Sequence, residues 1–135
     1  MQTFLPYADF IRSAACLDVK RLGKQRVEAR QILHAIRHGG GWQNHPVVTM
    51  WRGYEDALIM YGNAMISTWV IKGYRNTMLI MDLSKSSDEY CLPPWFGNDR
   101  LHGSHRSNLL RKDFRHYSRF GWSESADLSY WWPIG

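Results

Sequence analysis

Glu28 is the acid whose surroundings point most directly to chemistry. It is the only acidic residue in KRLGKQRVEARQ, residues 20 to 31. The same stretch carries five basic residues: Lys20, Arg21, Lys24, Arg26 and Arg30. A solvated helix usually pairs several acids with several bases at i,i+4 spacing. This composition indicates a phosphate-binding face with one carboxylate for proton transfer or for stabilising a developing cation. A solvated surface with a Lys24–Glu28 pair is the alternative.

The amine of Met1 remains as a candidate nucleophile after the usual ones are considered. The sequence has no GxSxG motif and no P-loop. Its two cysteines, Cys16 and Cys91, lack metal-ligand spacing and are expected to be reduced thiols of a cytosolic protein. An α-amino group is partly neutral near pH 7, whereas a lysine amine must be desolvated to become so.

Two histidine pairs raise the question of a metal site. His34 and His38 are four residues apart on a helix, and His102 and His105 lie near the start of another. Neither pair has the acidic or cysteine partners that zinc sites use. We expect core or surface histidines, with no metal and no cofactor.

A long first helix, residues 10 to 38, is predicted to carry Glu28. Asp9 or Ser13 is suited to cap its start, and HGGG (38–41) to end it. Gly23 weakens the helix by roughly 1 kcal/mol relative to Ala and allows a kink or a close approach. At 100° per residue, one face contains Arg21, Lys24, Gln25 and Glu28, with Lys20 and Gln31 at its edges.

Two further helices complete the predicted domain. The second opens at Pro46, capped by Asn44 or His45, and its apolar face extends to Trp69. TMLIMDL (77–83) is left open between helix and strand, and residues 84 to 103 read as a long loop. The third helix spans about 104 to 117 with Ser104 as its cap, and the aromatic tail is expected to pack back on the body. The fold prediction is a mainly α, compact single domain, residues 1–135, of three long helices and long connections.

The third helix repeats the basic character of the first. Its charged and neutral donors include His105, Arg106, Asn108, Arg111 and Lys112, interleaved with aromatic residues. Basic groups among aromatics indicate a nucleic-acid surface. The alternative is a helix whose aromatics face the core and whose basic groups are only solvated.

Composition agrees with an anionic partner. The chain has 135 residues, a formal net charge of +5 and a sequence pI of about 9.4. It lacks a run of eighteen apolar residues and a basic n-region with an apolar h-region. We therefore expect a cytoplasmic monomer, nucleoid-associated when on DNA, with no membrane partner.

Three stretches in order resemble the pyrimidine-dimer DNA glycosylases, the phage endonuclease V type and its bacterial relatives. They are LDVKRLGKQRVEARQIL (17–33), GWQNHPVV (41–48) and SHRSNLLRKD (104–113). Family members similarly place a Glu ten residues after the Asp of a Leu-Asp-x-Lys-x-Leu start, as Asp18 and Glu28 do here. Their Gly-aromatic-x-Asn-His-Pro turn is matched by residues 41–46.

The resemblance implies a metal-independent DNA repair glycosylase with AP-lyase activity on damaged or modified pyrimidines, with pyrimidine dimers as the first expectation. In that family the N-terminal α-amine attacks C1′ of the damaged nucleotide and forms an imine with the opened sugar. A Glu on the first helix assists base excision and the β-elimination that cuts the strand. Carried over, the catalytic residues are Met1 and Glu28, and the partner is double-stranded DNA. The residues expected to bind it are Gln2, Lys20, Arg21, Lys24, Gln25, Arg26, Asn44, His45, His105, Arg106, Asn108, Arg111 and Lys112.

Two positions depart from the family pattern. The phage enzyme exposes a Thr amine after losing Met, whereas the large side chain of Gln2 disfavours removal of Met1 here. The residue before the Glu is Arg in the phage enzyme and Val27 here, so the substrate contacts are rearranged and the preferred lesion can differ. The alternative function is a non-catalytic DNA-binding module with the same basic surface. A metal-dependent nuclease has little support in the sequence.

Overall fold

Helices form the secondary structure of the described residues, 1–83 and 91–134 of a computed structural model. They are α1 Phe10–Cys16, α2 Val19–His38, α3 Pro46–Trp51, α4 Glu55–Ile71, α5 Asp99–Lys112, α6 Phe114–Tyr117 and a short 3₁₀ helix Ser118–Phe120. No strand occurs in these two ranges, and the prediction of a mainly α fold is confirmed. Each helix within them is too short or too polar to cross a membrane.

The predicted first helix is two helices rather than one. Asp18 has an extended conformation (φ −66°, ψ 159°) between α1 and α2. Its backbone N–H donates to Tyr117 Oη at 3.1 Å, and the Tyr117 hydroxyl donates to its carboxylate, so a tertiary contact holds it out of the helical conformation. The outer boundaries are confirmed. Asp9 caps α1, and α2 ends at Gly39, whose φ is +76°.

The predicted second helix is also divided. Gly53, with φ +88°, lies between α3 and α4, and a left-handed residue ends a helix. The start is as predicted, because Pro46 occupies the first turn of α3 and the His45 side chain accepts from Val47 N.

The third helix begins at Asp99 and not at residue 104. The Asn98 side chain caps it by accepting from two backbone N–H groups of the first turn. Ser104, the predicted cap, is buried within α5 and donates to Leu101 O at 2.8 Å. Asp113 then separates α5 from α6.

The predicted loop is described only in part. Residues 77–83 form neither helix nor strand, and Asn63 holds them by exchanging two hydrogen bonds with the backbone of Met81. Residues 84–90 lie outside the described residues, and residues 99–103 belong to α5.

At Gly23 the ring of Trp69 from α4 packs directly on the backbone of α2. A Cβ at this position would lie 3.0 Å from Trp69, whose ring covers the backbone. The predicted close approach is confirmed, and α2 continues through Gly23 without interruption. The packing of the ring offsets the roughly 1 kcal/mol that glycine costs in a helix. The predicted packing of the aromatic tail is also confirmed, since Trp122, Tyr130, Trp131 and Trp132 contact the core.

The first six residues pass through the interior between the helices. Gln2 to Pro6 are buried, and buried backbone groups need hydrogen-bond partners. Side chains supply them. Gln25 Oε1 accepts from Phe4 N at 3.2 Å, and Tyr61 Oη donates to Phe4 O at 3.1 Å.

Two histidines of α5, His102 and His105, bind the backbone of Leu5 and are in opposite tautomers. Leu5 N donates to His105 Nδ1 at 2.9 Å, so the proton of His105 is on Nε2. His102 Nδ1 lies 2.7 Å from Leu5 O and donates to it, while its Nε2 accepts from Gly97 N. Burial lowers the pKa of both rings, that of His105 to about 3. Both rings therefore act as neutral structural groups.

Acid should destabilise the fold through these histidines. An unfolded histidine has a pKa of about 6.5, so the unfolded chain binds more protons as the pH falls below that value. The stability that the neutral rings contribute is complete above pH 6.5 and is lost progressively toward pH 3. His105→Gln keeps an acceptor for Leu5 N but does not titrate. Urea unfolding between about pH 4.5 and 6.5 should show a slope up to about 1.4 kcal/mol per pH unit shallower in this variant than in the wild type.

The exposed His34→Gln is the control and should keep the wild-type slope. Equal slopes for the wild type and His105→Gln would show that His105 is not held neutral in the folded state.

Candidate active site

A polar cavity of about 370 Å³ brings the start of the chain to the first turns of α2. The end of α5 and the tail complete its walls. The lining residues are Met1, Gln2, Phe4, Lys20, Arg21, Lys24, Gln25, Glu28, Lys112 and Tyr130. Glu28 and the residue that bears the terminal amine therefore share one cavity.

Glu28 is nearly buried, and one of its carboxylate oxygens is fixed by two donors. Oε2 accepts from Gln2 N at 3.2 Å and from Gln25 Nε2 at 3.0 Å. Oε1 lies 3.8 Å from Lys24 Nζ, beyond hydrogen-bonding distance. The side chain of Glu28 is 11% exposed. Oε1 is thus the oxygen available for proton transfer.

The terminal amine is placed by the same contact. The Gln2 amide that donates to Glu28 is three covalent bonds from the amine of Met1. Standard backbone dimensions then place the amine within about 7 Å of Glu28 Oε2. The buried position of Gln2, 6% exposed, keeps this arrangement from fraying as chain ends usually do.

Gln25 joins the acid to the N-terminal segment. Its Oε1 accepts from Phe4 N and from Tyr61 Oη at 2.5 Å, while its Nε2 donates to Glu28. The amide has one possible orientation, because the reverse would place its NH₂ against the Phe4 N–H and its oxygen against the carboxylate. Gln25 is 1% exposed and lines the cavity beside Glu28, and its contact with DNA stays a prediction.

Cations surround the mouth of the cavity. Lys20, Lys24 and Lys112 lie on its rim, and the side chain of Lys24 is 71% exposed. Arg21 lies on the same wall with its NH1 3.2 Å from both oxygens of Asp18. That carboxylate orients Arg21, and its own pKa is lowered although burial alone would raise it, because Tyr117 and Arg21 donate to it. The predicted helix face is therefore assembled as a positive rim around one carboxylate.

His45 adjoins the site, and Asn44 does not line it. Burial first, and then the charge of the terminal amine, lower the pKa of His45, whereas the charge of Glu28 raises it. This electrostatic influence indicates that the cap of α3 lies near both catalytic candidates. Asn44 is exposed in the turn before α3.

A family model described as pyrimidine dimer DNA glycosylase matches residues 1–82, which is more than half of the chain. The chain belongs to this family. The matched stretch contains α1 to α4, the terminal residue and Glu28, whereas α5, α6 and the tail lie beyond it. Comparison with curated proteins and with solved structures found no match. Membership makes DNA the substrate.

Most of the α5 residues that were predicted to contact DNA form hydrogen bonds within the protein. His105 and Asn108 are buried, and Asn108 Nδ2 donates to Ser104 O and Leu128 O. Arg106 forms two hydrogen bonds with Glu124, which raise its pKa. These side chains bind the tail and the N-terminal segment, and their contact with DNA stays a prediction. On α5, Lys112 alone of the predicted set lines the cavity.

Two other arginines are likewise bound to their own chain. Arg111 NH1 donates to Ala126 O at 3.0 Å. Arg26 lies over the Trp69 ring at 4.2 Å and donates to Asn76 Oδ1, and burial lowers its pKa. Arg26 points toward α4, two residues and about 200° around α2 from Glu28. Neither arginine lines the cavity.

Phe4 and Tyr130 are cavity residues that the sequence did not indicate. Burial raises the pKa of Tyr130, whose ring meets His105 edge-on at 5.8 Å. The irregular tail has no periodicity from which its position can be read. Residues 1–83 and 91–134 contain no group of three potential metal ligands, and the rings of His34 and His38 lie 4.8 Å apart.

Gln25 and Lys24 provide a matched test of positioning against DNA contact. Gln25→Met should lower the free energy of unfolding by about 1–3 kcal/mol, because buried donors lose their acceptor, and should slow base excision without weakening binding to undamaged duplex. Lys24→Gln should barely change unfolding but should reduce the magnitude of the slope of log K against log salt by about 0.9. Urea unfolding, duplex binding and single-turnover excision measure these effects. If Gln25→Met binds undamaged duplex more weakly and its stability is unchanged, the result would support a direct contact between Gln25 and DNA.

Proposed function

We propose that this DNA glycosylase excises damaged pyrimidines, pyrimidine dimers above all, and then cleaves the strand as an AP lyase. The observation that carries the proposal is the shared cavity of Met1 and Glu28, in which Gln2 N donates directly to the carboxylate. The nucleophile is the amine of Met1, and Glu28 is the proton-transferring carboxylate. The mechanism uses no metal.

In the first step the amine nitrogen bonds to C1′ as the bond from C1′ to the damaged base breaks. The leaving base takes the electron pair of that bond. The C1′–O4′ bond then breaks and O4′ takes its electron pair. One amine proton passes to the departing base, and the second leaves nitrogen for O4′, which gives an imine. Glu28 Oε1 is suited to stabilise the cationic sugar and to transfer these protons, because Oε2 is already occupied by two donors.

In the second step a base removes a proton from C2′ of the imine and the 3′ phosphate leaves. This β-elimination cuts the strand, and water later releases the amine from the product. Glu28 is the carboxylate of the cavity, so we assign the proton transfer to it. Lys20, Arg21, Lys24 and Lys112 are assigned to the phosphates on either side, consistent with their position on the rim.

The lysines of the rim are poorer nucleophiles than the terminal amine. Lys24 is largely in solvent, and a lysine needs desolvation or a neighbouring cation to lose its proton. The amine of Met1 belongs to a residue that packs against the core, at the end of a segment with a fixed course. This placement favours it for attack at one defined carbon.

Removal of the terminal amine and removal of the Glu28 carboxylate should have different effects on the reaction. A short N-terminal extension leaves no terminal amine at the site, so borohydride trapping on abasic DNA should disappear while Glu28 is intact. Glu28→Gln keeps the amine and the shape of the site but loses proton transfer, so base excision should fall by about 10²–10⁴-fold. Its DNA binding should be at least as tight, since one negative charge near phosphate is gone.

Trapping yield, excision rate and duplex affinity are measured side by side, with and without EDTA. Undiminished trapping by the extended chain would refute the role of the amine. A wild-type excision rate in Glu28→Gln would refute that of the carboxylate. DNA binding without excision of any damaged pyrimidine would favour a non-catalytic binding module.

A groove further along α2 is suited to a base taken out of the stack. It has a volume of about 520 Å³, and its lining includes Val27, Gln31 and His34 of α2 and Trp42 of the following turn. Trp42 is 54% exposed, which leaves an aromatic face for stacking. Extrusion of the target nucleotide or its partner is needed because C1′ is out of reach in an intact duplex.

Trp42→Ala should weaken binding to a lesion duplex by about 1–3 kcal/mol, the usual contribution of a base–aromatic stack. Binding to undamaged duplex should stay the same. A 2-aminopurine opposite or beside the lesion reports extrusion as a fluorescence change on binding. Leu79→Ala, an exposed apolar residue outside the groove, is the control. An equal loss on damaged and undamaged duplex would exclude the groove as a base-binding site.

A further inference from the structure

Two arginines outside the active site face a cavity of about 390 Å³ where α1 meets the 3₁₀ helix. This arginine cavity is lined by Tyr7, Arg12, Ala15, Cys16, Arg119 and Phe120. Its thiol is inert, because burial raises the pKa of Cys16 to about 12. The cavity thus contains positive charge and no reactive nucleophile, which suits binding rather than chemistry.

Both guanidinium groups are held in place without a carboxylate. Arg12 lies over the Tyr7 ring at 3.9 Å from its centre. Arg119 Nε donates to His116 O at 3.0 Å, and its NH2 lies 2.9 Å from His116 Nδ1. Within the described residues neither arginine forms a salt bridge, whereas Arg106 does. Two oriented and unneutralised guanidinium groups match the geometry that binds phosphate oxygens.

The acids nearest to these arginines along the chain are already engaged. Asp9 caps α1 through Oδ1, which accepts from Arg12 N at 2.7 Å. Glu124, five positions after Arg119, accepts two hydrogen bonds from Arg106. A further cation lies close by, since Lys72 Nζ donates to Ala15 O at 3.0 Å.

The arginine cavity lies close to the active site along the chain. Cys16 lines the arginine cavity. Lys20, four positions later in the sequence, lines the polar cavity that contains Met1 and Glu28, here called the active cavity. The Cα atoms of Cys16 and Lys20 are at most about 14 Å apart. That distance corresponds to about four phosphates of one DNA strand. A duplex whose lesion is at the active cavity has backbone phosphates at this distance from the lesion.

We infer that the arginine cavity is a second phosphate-binding subsite for the DNA held at the active cavity. The inference rests on the proposed function only for where the lesion lies. Arg12 and Arg119 contact phosphodiester oxygens to one side of the lesion and extend the binding surface beyond the catalytic rim.

The test measures the salt dependence of duplex binding by Arg12→Gln, Arg119→Gln and the double variant. On a lesion duplex of about 25 base pairs, the magnitude of the slope of log K against log salt should fall by about 0.9 for each single change and about 1.8 for both. Two duplexes, each shortened on one side of the lesion, locate the contact. On one of them the wild type and the double variant should have equal slopes.

Arg37→Gln is the control, because Arg37 is exposed and lies about 25 Å from Lys20 along α2. It should keep the wild-type slope. Its single-turnover excision at saturating enzyme should also be unchanged. The salt slope measures DNA binding, so this test of the arginine cavity remains valid even if trapping or excision experiments refute the catalytic roles of Met1 and Glu28.

Equal slopes for the wild type and the double variant on the full duplex would overturn the inference. A decrease in the magnitude of the slope that is the same on both shortened duplexes would also overturn the inference. If inorganic phosphate raises the melting temperature of the wild type but not of the double variant while their DNA slopes coincide, the cavity binds a free anion and not DNA.

Discussion

Buried backbone that has no strand to pair with is the constraint on which the rest of the structure depends. The polar groups of residues 2–6 would each cost about 1–3 kcal/mol if left unpaired. Side chains of α2, α4 and α5 pair with them, and Gln25, Tyr61, His102 and His105 are all nearly buried for this purpose. Since Gln25 and Gln2 N also donate to Glu28, the bonds that stabilise the segment fix the end of the chain beside the carboxylate.

The need to pair this buried backbone also separates the cations of the protein into two groups, those bound to their own chain and those exposed at the cavity. Arg106 donates to Pro6 O at 2.7 Å as well as to Glu124, so it stabilises the segment and the tail and cannot turn to DNA without leaving both. Lys20 and Lys24 are exposed on the rim of the cavity. A net charge of +5 therefore overstates the charge available to DNA at any one place, and position on the fold decides which cations bind phosphate.

The sequence predicted the helical class and the face of α2 that carries Glu28, because these depend on local spacing. It gave two candidates for each of two caps, Asp9 or Ser13 and Asn44 or His45, of which Asp9 and His45 are the caps in the structure. It did not predict the break at Asp18, which depends on the hydroxyl of Tyr117, ninety-nine positions away in the chain. Nor could composition distinguish Lys112, which lines the cavity, from Asn108 and His105, which are buried one turn or two before it. Helical periodicity places residues on a face, but only the path of an irregular segment decides what that face meets. The tail residue Tyr130 was missed for the same reason.

The central claim is that the buried segment presents the terminal amine, and no lysine, to C1′. It is tested most directly by borohydride reduction of the wild-type complex with abasic DNA, followed by proteolysis and mass spectrometry of the cross-linked peptide. The account predicts the deoxyribose-derived adduct on the α-nitrogen of Met1. An adduct on Lys20, Lys24 or Lys112, which line the same cavity, would contradict it.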